Sequence, residues 1–470
     1  MMNRVSLKLI QTWASFGPRF LPFADVATPD LPLSRLLRLS LFQVTVGMAL
    51  VLLVGTLNRV MIVELDVPAS LVGVMISLPL LFAPFRALIG FKSDIHQSAL
   101  GWRRVPFIFR GTMIQFGGLA IMPFALLVLS GGGESARYPI WVGQFGAGVA
   151  FLLVGAGLHT VQTIGLALAT DLAPSESQPK VVGLMYVMLL VGMIISAVTF
   201  GALLANFSPL RLIQVIQGCA IITLVFNTMA SWKQEGRNAA RRNPAKQQPS
   251  FRESWDSFAQ GGQAVRRLLS VGLGTMGFSM ADVLLEPYGG QILHLSVGAT
   301  TSLTATLAAG GLIGLALASR VLSRGADPFR MASYGALTGI PAFILVIAAS
   351  PADEPLFFAM GTLMVGFGAG LFGHGTLTAT MNLAPRNQVG LALGAWGASQ
   401  AVAAGLAIAI GGILRDIVAT MPLRGEFGPA TGYMCVYTLE IMLLLWTLVA
   451  MAPLIGPNRP SKAESQLGSP

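Results

Sequence analysis

The sequence predicts an all-α membrane protein with 12 transmembrane helices arranged as two six-helix repeats. Composition is the first observation. The 470 residues are 54% hydrophobic and 11% charged, with a mean hydropathy of +0.71, whereas soluble globular domains are roughly 25% charged. Length is the second, because the chain holds 12 apolar runs that approach or exceed the ~20 residues a helix needs to cross a bilayer. The third is a repeat. Gly157 and Asp171-Leu172-Ala173-Pro174 match Gly368 and Asn382-Leu383-Ala384-Pro385 at a constant offset of 211, and a Val-Gly-Leu follows each, at Val182 and Val389. Leu65-Asp66-Val67-Pro68-Ala69 likewise resembles Leu295-Ser296-Val297-Gly298-Ala299.

The first 35 residues hold Pro18, Pro22, Pro29 and Pro32 and lack a continuous apolar core, which argues against a signal peptide. Val5, Leu9, Trp13 and Phe16 recur at helical spacing beside Arg4 and Lys8, as in a helix lying on an anionic lipid surface; an unstructured tail is the alternative. Six spans follow, at 36–60, 70–90, 105–130, 140–169, 181–204 and 210–230. Residues 231–267 form a basic linker, with Arg237, Arg241, Arg242 and Lys246 among its cations and Pro244 and Pro249 interrupting it. That composition suits a flexible segment attracted to anionic lipid. Aromatic residues for stacking bases are sparse, so no nucleic-acid partner is expected. The second half supplies spans at 268–287, 299–320, 329–350, 355–382, 389–414 and 431–454, followed by a tail at 455–470.

Charge orients the spans. The formal charge of +10 would suggest nucleic acid in a soluble protein, but here 24 of the 30 lysines and arginines fall on one set of segments, those that include both termini and the linker. The positive-inside bias places both termini in the cytoplasm. Cys219 and Cys435 lie within apolar runs, so buried thiols without a disulfide are expected.

Gly90-x-x-x-Asp94, with Gly101-x-Arg103-Arg104 behind it, resembles the loop between helices 2 and 3 of major facilitator superfamily transporters. This implies close helix approach at the glycine and charge-assisted contacts at the cytoplasmic face. The chain departs from that pattern: Ile95 stands where the family has arginine, and Asp94 is four residues further from Gly101 than usual. Other strings are more specific. Gly55-Thr-Leu-Asn58-Arg59-Val-Met-Ile-Val-Glu64, Phe82-Ala-Pro-Phe-Arg86, Ala99-Leu-Gly-Trp102-Arg-Arg-Val-Pro106 and Asp282-Val-Leu-Leu-Glu286-Pro287-Tyr288-Gly289-Gly290 resemble the PucC/LhaA proteins of purple phototrophic bacteria. The resemblance implies handling or delivery of bacteriochlorophyll and assembly of light-harvesting complexes in the photosynthetic inner membrane. Bacteriochlorophyll would be a bound cargo rather than an intrinsic cofactor, and light-harvesting antenna polypeptides would be partners. Proton-coupled solute transport and a non-transporting scaffold are the alternatives. An enzyme is not expected, because the sequence offers no nucleophile–base pair, metal cluster or phosphate loop.

Ionisable groups within spans are costly in lipid and mark function. Asp282 and Glu286 share one face of span seven at i, i+4. Counting from Arg267 at ~1.5 Å per residue places them ~22 and ~28 Å up, in the outer half. Pro287 and Gly289-Gly290 should interrupt the helix beyond them, and Arg59 near the outer end of span one is the expected ion partner, forming an outer gate. His159 and His374 occupy spans four and ten at mid-membrane depth, and neutral imidazole is a good axial ligand for a chlorin's magnesium. Gly155 and Gly157 before His159, and Gly366 through Gly375 around His374, predict a bare slot for a flat guest, with close helix packing as the competing reading.

Overall fold

The computed structural model describes residues 31–81, 89, 92–93, 102–174, 177–235, 264–383, 389–421 and 428–455. The N-terminal surface helix, most of the basic linker, the C-terminal tail and the loop residues Gly90, Asp94 and Gly101 lie outside the described residues.

Twelve helices follow one another in the described chain. They are α1 (Leu33–Glu64), α2 (Ala69–Leu81), α3 (Val105–Leu129), α4 (Ile140–Leu172), α5 (Gln178–Leu203) and α6 (Pro209–Ser231), then α7 (Ala264–Ser279 and Ala281–Gln291), α8 (Val297–Leu322), α9 (Pro328–Ala352), α10 (Pro355–Leu383), α11 (Val389–Thr420) and α12 (Thr431–Met451). Among the described residues, 11 helices are long and apolar enough to cross a membrane, and α2 is a shorter apolar helix. Local sequence explains several starts. Ser208, Ser296 and Asp327 accept hydrogen bonds from the backbone N–H groups of Arg211, Ala299 and Arg330, capping α6, α8 and α9. Pro209 and Pro328 occupy the first helical turn, where no N–H is needed. At its far end α9 stops at Asp353, which takes a left-handed conformation with φ of 49°.

Hydrocarbon gives apolar side chains no reason to leave it, so helices join where small residues let backbones meet. Within the second half, α10 packs on α8 through Gly310, Gly314, Gly366 and Gly370, and on α9 through Gly335, Gly368 and Gly375. In the first half, Gly111 and Gly157 bring α3 against α4. The halves meet along two helix pairs, α5 with α8 and α2 with α11. Gly201 and Gly298 form the first seam, and Gly73 and Gly412 the second.

Two expectations about helix shape are corrected. Helix α1 runs to Glu64 and is not regular: beyond Leu50 it widens into π-helical turns at Val51–Leu57 and Val60–Glu64. Helix α7 continues through Pro287 and Gly289-Gly290, and its break lies earlier, at Met280. Proline deprives the carbonyl four residues back of its helical donor. For Pro287 that carbonyl belongs to Val283, and Asn58 Nδ2 of α1 donates to it at 2.9 Å. At Met280, Glu440 Oε1 of α12 accepts from the buried N–H of Ala281 at 2.7 Å. Both thiols are free, as expected, but only Cys219 is buried; Cys435 is exposed on α12.

A Cβ at Gly310 would drive into the Leu363 carbonyl and lie 2.9 Å from Phe367 N. Gly310→Ala should therefore destabilise the α8–α10 seam by about 1–3 kcal/mol. Thermal unfolding in detergent should show a lower Tm, while Gly117→Ala, with nothing within 4 Å of its added Cβ, should leave it unchanged or slightly raised.

Candidate functional site between the two halves

A cavity of about 150 Å³ lies between the halves, walled by α1, α5, α7, α8 and α10. Asp282 and Glu286 both line it, as their shared helix face requires. Opposite them are Gly55 on the π-helical part of α1, Thr304 on α8, and Phe358 and Thr362 on α10. Glu286 is 5% exposed. Its Oε1 accepts a hydrogen bond from Thr304 Oγ1, and its Oε2 has no hydrogen-bond partner.

Helices α1 and α7 fit each other by exchanging charge and glycine. Gly55 leaves the space that the Glu286 carboxylate fills. Four residues further along each helix the roles reverse: a Cβ on Gly290 would stand 3.0 Å from Arg59 Nε. Arg59 is 4% exposed, and the expected ion pair with Asp282 or Glu286 is not the one it makes. Its Nη1 pairs with Glu64 Oε1 at 2.5 Å, five residues along α1, and its Nη2 donates to the Leu295 carbonyl at 3.2 Å. The widened turns carry Glu64 back toward Arg59, a register that a regular-helix reading of the sequence misplaces.

Beyond this contact the halves are tied together by polar groups. Thr56 and Thr301 hydroxyls are 3.3 Å apart, Gln291 Nε2 donates to the Ile62 carbonyl, and Asp416 Oδ2 accepts from Ser70 N at 2.7 Å. Gln291 Oε1 in turn accepts from Arg415 Nη2 at 2.5 Å and from the Tyr433 hydroxyl at 2.6 Å. The hydrogen bonds that tie Thr56, Asn58, Arg59, Ile62 and Ser70 to the other half all lie at this end, where α1 gives way to α2.

At the opposite end Arg103 and Arg104 act within the first half. Arg103 Nη2 and Arg104 Nε bind Asp171 Oδ2 at 2.8 and 3.0 Å, and Arg104 Nη1 donates to Ser93 Oγ at 2.5 Å. Glu235, just after α6, accepts from the backbone N–H groups of Arg103, Arg104 and Val105. The start of α3 is thereby anchored to α4 and to the segment leaving α6.

His159 and His374 are half-buried on α4 and α10, and neither lines the cavity. The slot expected from their glycines is not formed as such. Gly155 is filled by Pro79, Gly157 by α3 at Gln115, Gly366 and Gly370 by α8, and Gly368 and Gly375 by α9. Close packing is what these glycines do. Gly373 differs: nothing stands within 4 Å of where its Cβ would be, leaving open space beside His374.

Sequence reading missed Glu440, the sole acid in the run 431–454 and fully buried, with Oε2 lacking a hydrogen-bond partner. Its signal was an intramembrane carboxyl. Arg415 and Asp416 were missed because the expected span ended at 414, which left them in a loop.

Gln291→Leu strands Arg415 Nη2 and Tyr433 from their shared acceptor. Buried groups that lose a partner cost about 1–3 kcal/mol. The variant should unfold at a lower temperature, and a cysteine placed at Thr304 should gain reactivity to a membrane-impermeant maleimide. The exposed Arg137–Glu134 pair provides the control, since Arg137→Gln should change neither.

A family model described as PUCC protein matches residues 56–458. Protein PucC of Rhodovulum sulfidophilum is 65% identical over 421 residues, spanning 89% of this chain and 92% of the relative. Protein PucC of Cereibacter sphaeroides is 58% identical over 454 residues, 97% of this chain and 98% of the relative. A more distant relative, the bacteriochlorophyll synthase 44.5 kDa chain of Rhodobacter capsulatus, is 25% identical over 85% of this chain and 91% of its own length. In fold, the chain is similar to the D-xylose-proton symporter, with a TM-score of 0.69 at 14% identity over 88% of this chain and 96% of that one. The helix order, the two seams and these matches together establish a multi-pass membrane protein with the major facilitator fold, and the chain belongs to the PucC family.

Proposed function

We propose that this protein handles bacteriochlorophyll and assists assembly of light-harvesting antenna complexes in the photosynthetic inner membrane, with both termini in the cytoplasm. The observation that carries the reading is the 65% identity to Protein PucC across nearly the whole of both chains. The relative named for bacteriochlorophyll synthase supports the pigment as cargo.

The geometry favours one end of the space between the halves as the place for a pigment. A cavity of about 150 Å³ falls short of the roughly 300–1,000 Å³ typical of drug-sized ligand sites. A chlorin would instead lie toward the end away from the polar clamp. Gly373 lies 11 residues, about three turns, beyond Thr362, on the face of α10 that points into the cavity. The open space at Gly373 adjoins His374, whose imidazole would ligate magnesium. His159 is the weaker candidate of the two, because the glycines before it are filled.

Protein purified from a phototrophic host should carry a pigment absorption band. His374→Leu should lower bound pigment and antenna yield while the protein still inserts, and His159→Leu should lower them less. A pigment-free protein whose deletion leaves antenna yield normal contradicts the reading. For orientation, a reporter active only in the cytoplasm should be active when fused after Arg237 or Arg459 and inactive at Gly133.

A further inference from the structure

We propose that Asp282 and Glu286 form a proton-binding site in the cavity between the halves, and that its loading decides which partner Arg59 holds. The inference goes beyond pigment handling and does not rest on it. Three features carry it. Glu286 is buried and lines the cavity, yet Oε2 has no hydrogen-bond partner. A carboxylate at this depth without a countercharge is costly. The nearby cation is held elsewhere through both terminal nitrogens, Arg59 Nη1 by Glu64 and Nη2 by the Leu295 carbonyl, and its buried Nε has no hydrogen-bond partner.

Among the described residues the remaining surroundings offer no replacement. Helix α8 presents the Thr304 hydroxyl, α10 presents Phe358 and Thr362, and α5 presents Met193. Helix α12 adds Tyr433, Tyr437 and a second buried glutamate, Glu440, whose Oε2 also lacks a partner. On α11, Arg415 is held by Asp416, Gln291 and Tyr433. Among the described residues no group of three or more histidine, cysteine or acidic side chains is arranged to hold a metal ion. Protons on the carboxyls neutralise the site and supply the cavity with O–H donors. When Glu286 loses its proton, its carboxylate competes with Glu64 for Arg59. A guanidinium turning inward leaves the Leu295 carbonyl and loosens the hold of α1 on the α7–α8 connection.

Dicyclohexylcarbodiimide tests this directly, because the apolar reagent modifies protonated carboxyls in apolar surroundings. The full chain in lipid nanodiscs is treated from mildly acidic to alkaline pH, with and without sodium chloride, and adducts are mapped by peptide mass spectrometry. The expected result is an adduct on Glu286 or Asp282 that falls severalfold as pH rises, is unchanged by sodium, and disappears from position 286 in Glu286→Gln. Absence of adduct at both positions at every pH, with acid-denatured protein labelled there, overturns the proposal. Protection by sodium overturns it in favour of a metal cation. Should Glu286→Gln fail to fold, the wild-type pH profile still decides.

Discussion

Helix α1 lies against α7 because each offers a glycine where the other carries an ionisable side chain. Gly55 receives Glu286 and Gly290 receives Arg59, four residues apart on both helices. A side chain at Gly55 would displace the Glu286 carboxyl and one at Gly290 would crowd the Arg59 guanidinium, so these two ends, one from each half, lie near each other within the membrane. The rest of the clamped end follows from that approach. It brings Asn58 to the carbonyl freed by Pro287, Thr56 to Thr301, and Gln291 to the backbone of α1. The cavity is what remains beneath the contact.

The same medium explains why the broken helix is supported from both sides. In hydrocarbon an unsatisfied backbone group has no water to turn to. On α7 the carbonyl of Val283 and the N–H of Ala281 are such groups, and each meets a polar side chain from a neighbouring helix, Asn58 and Glu440 respectively. The break and the proline therefore do not loosen α7. They fix its second segment, Ala281–Gln291, to α1 and α12, with Asp282 and Glu286 facing the cavity between these anchors. Tyr288 adds to this hold: it is fully buried, its ring meets those of Tyr433 and Tyr437 edge-on, and its hydroxyl donates to the Val346 carbonyl.

Spans and their number were legible because crossing a bilayer needs a run of apolar residues whatever the neighbours are. The face shared by Asp282 and Glu286 was legible for a similar reason, since helix periodicity alone sets it. What sequence could not supply was partner choice. Arg59 turns to Glu64 because π-helical turns reset the register of α1, and no local signal in Val51–Glu64 announces them. Glycines around His374 read equally as a slot or as packing, and only the positions of α8 and α9 decide that most are packing. The break at Met280 was hidden for a comparable reason: Pro287 is the stronger helix breaker, but Asn58 takes up the carbonyl it frees.

Closure of the halves at the end where α1 meets α2 is the claim on which the site depends. Thr56 and Thr301 face each other across that closure with oxygens 3.3 Å apart. The most direct measurement is a thiol count on Thr56→Cys/Thr301→Cys in a Cys219→Ser/Cys435→Ser background after mild copper-catalysed oxidation. The closed arrangement predicts that both thiols vanish together and return on reduction. Two thiols that stay free and maleimide-reactive would show the halves apart at this end and contradict it.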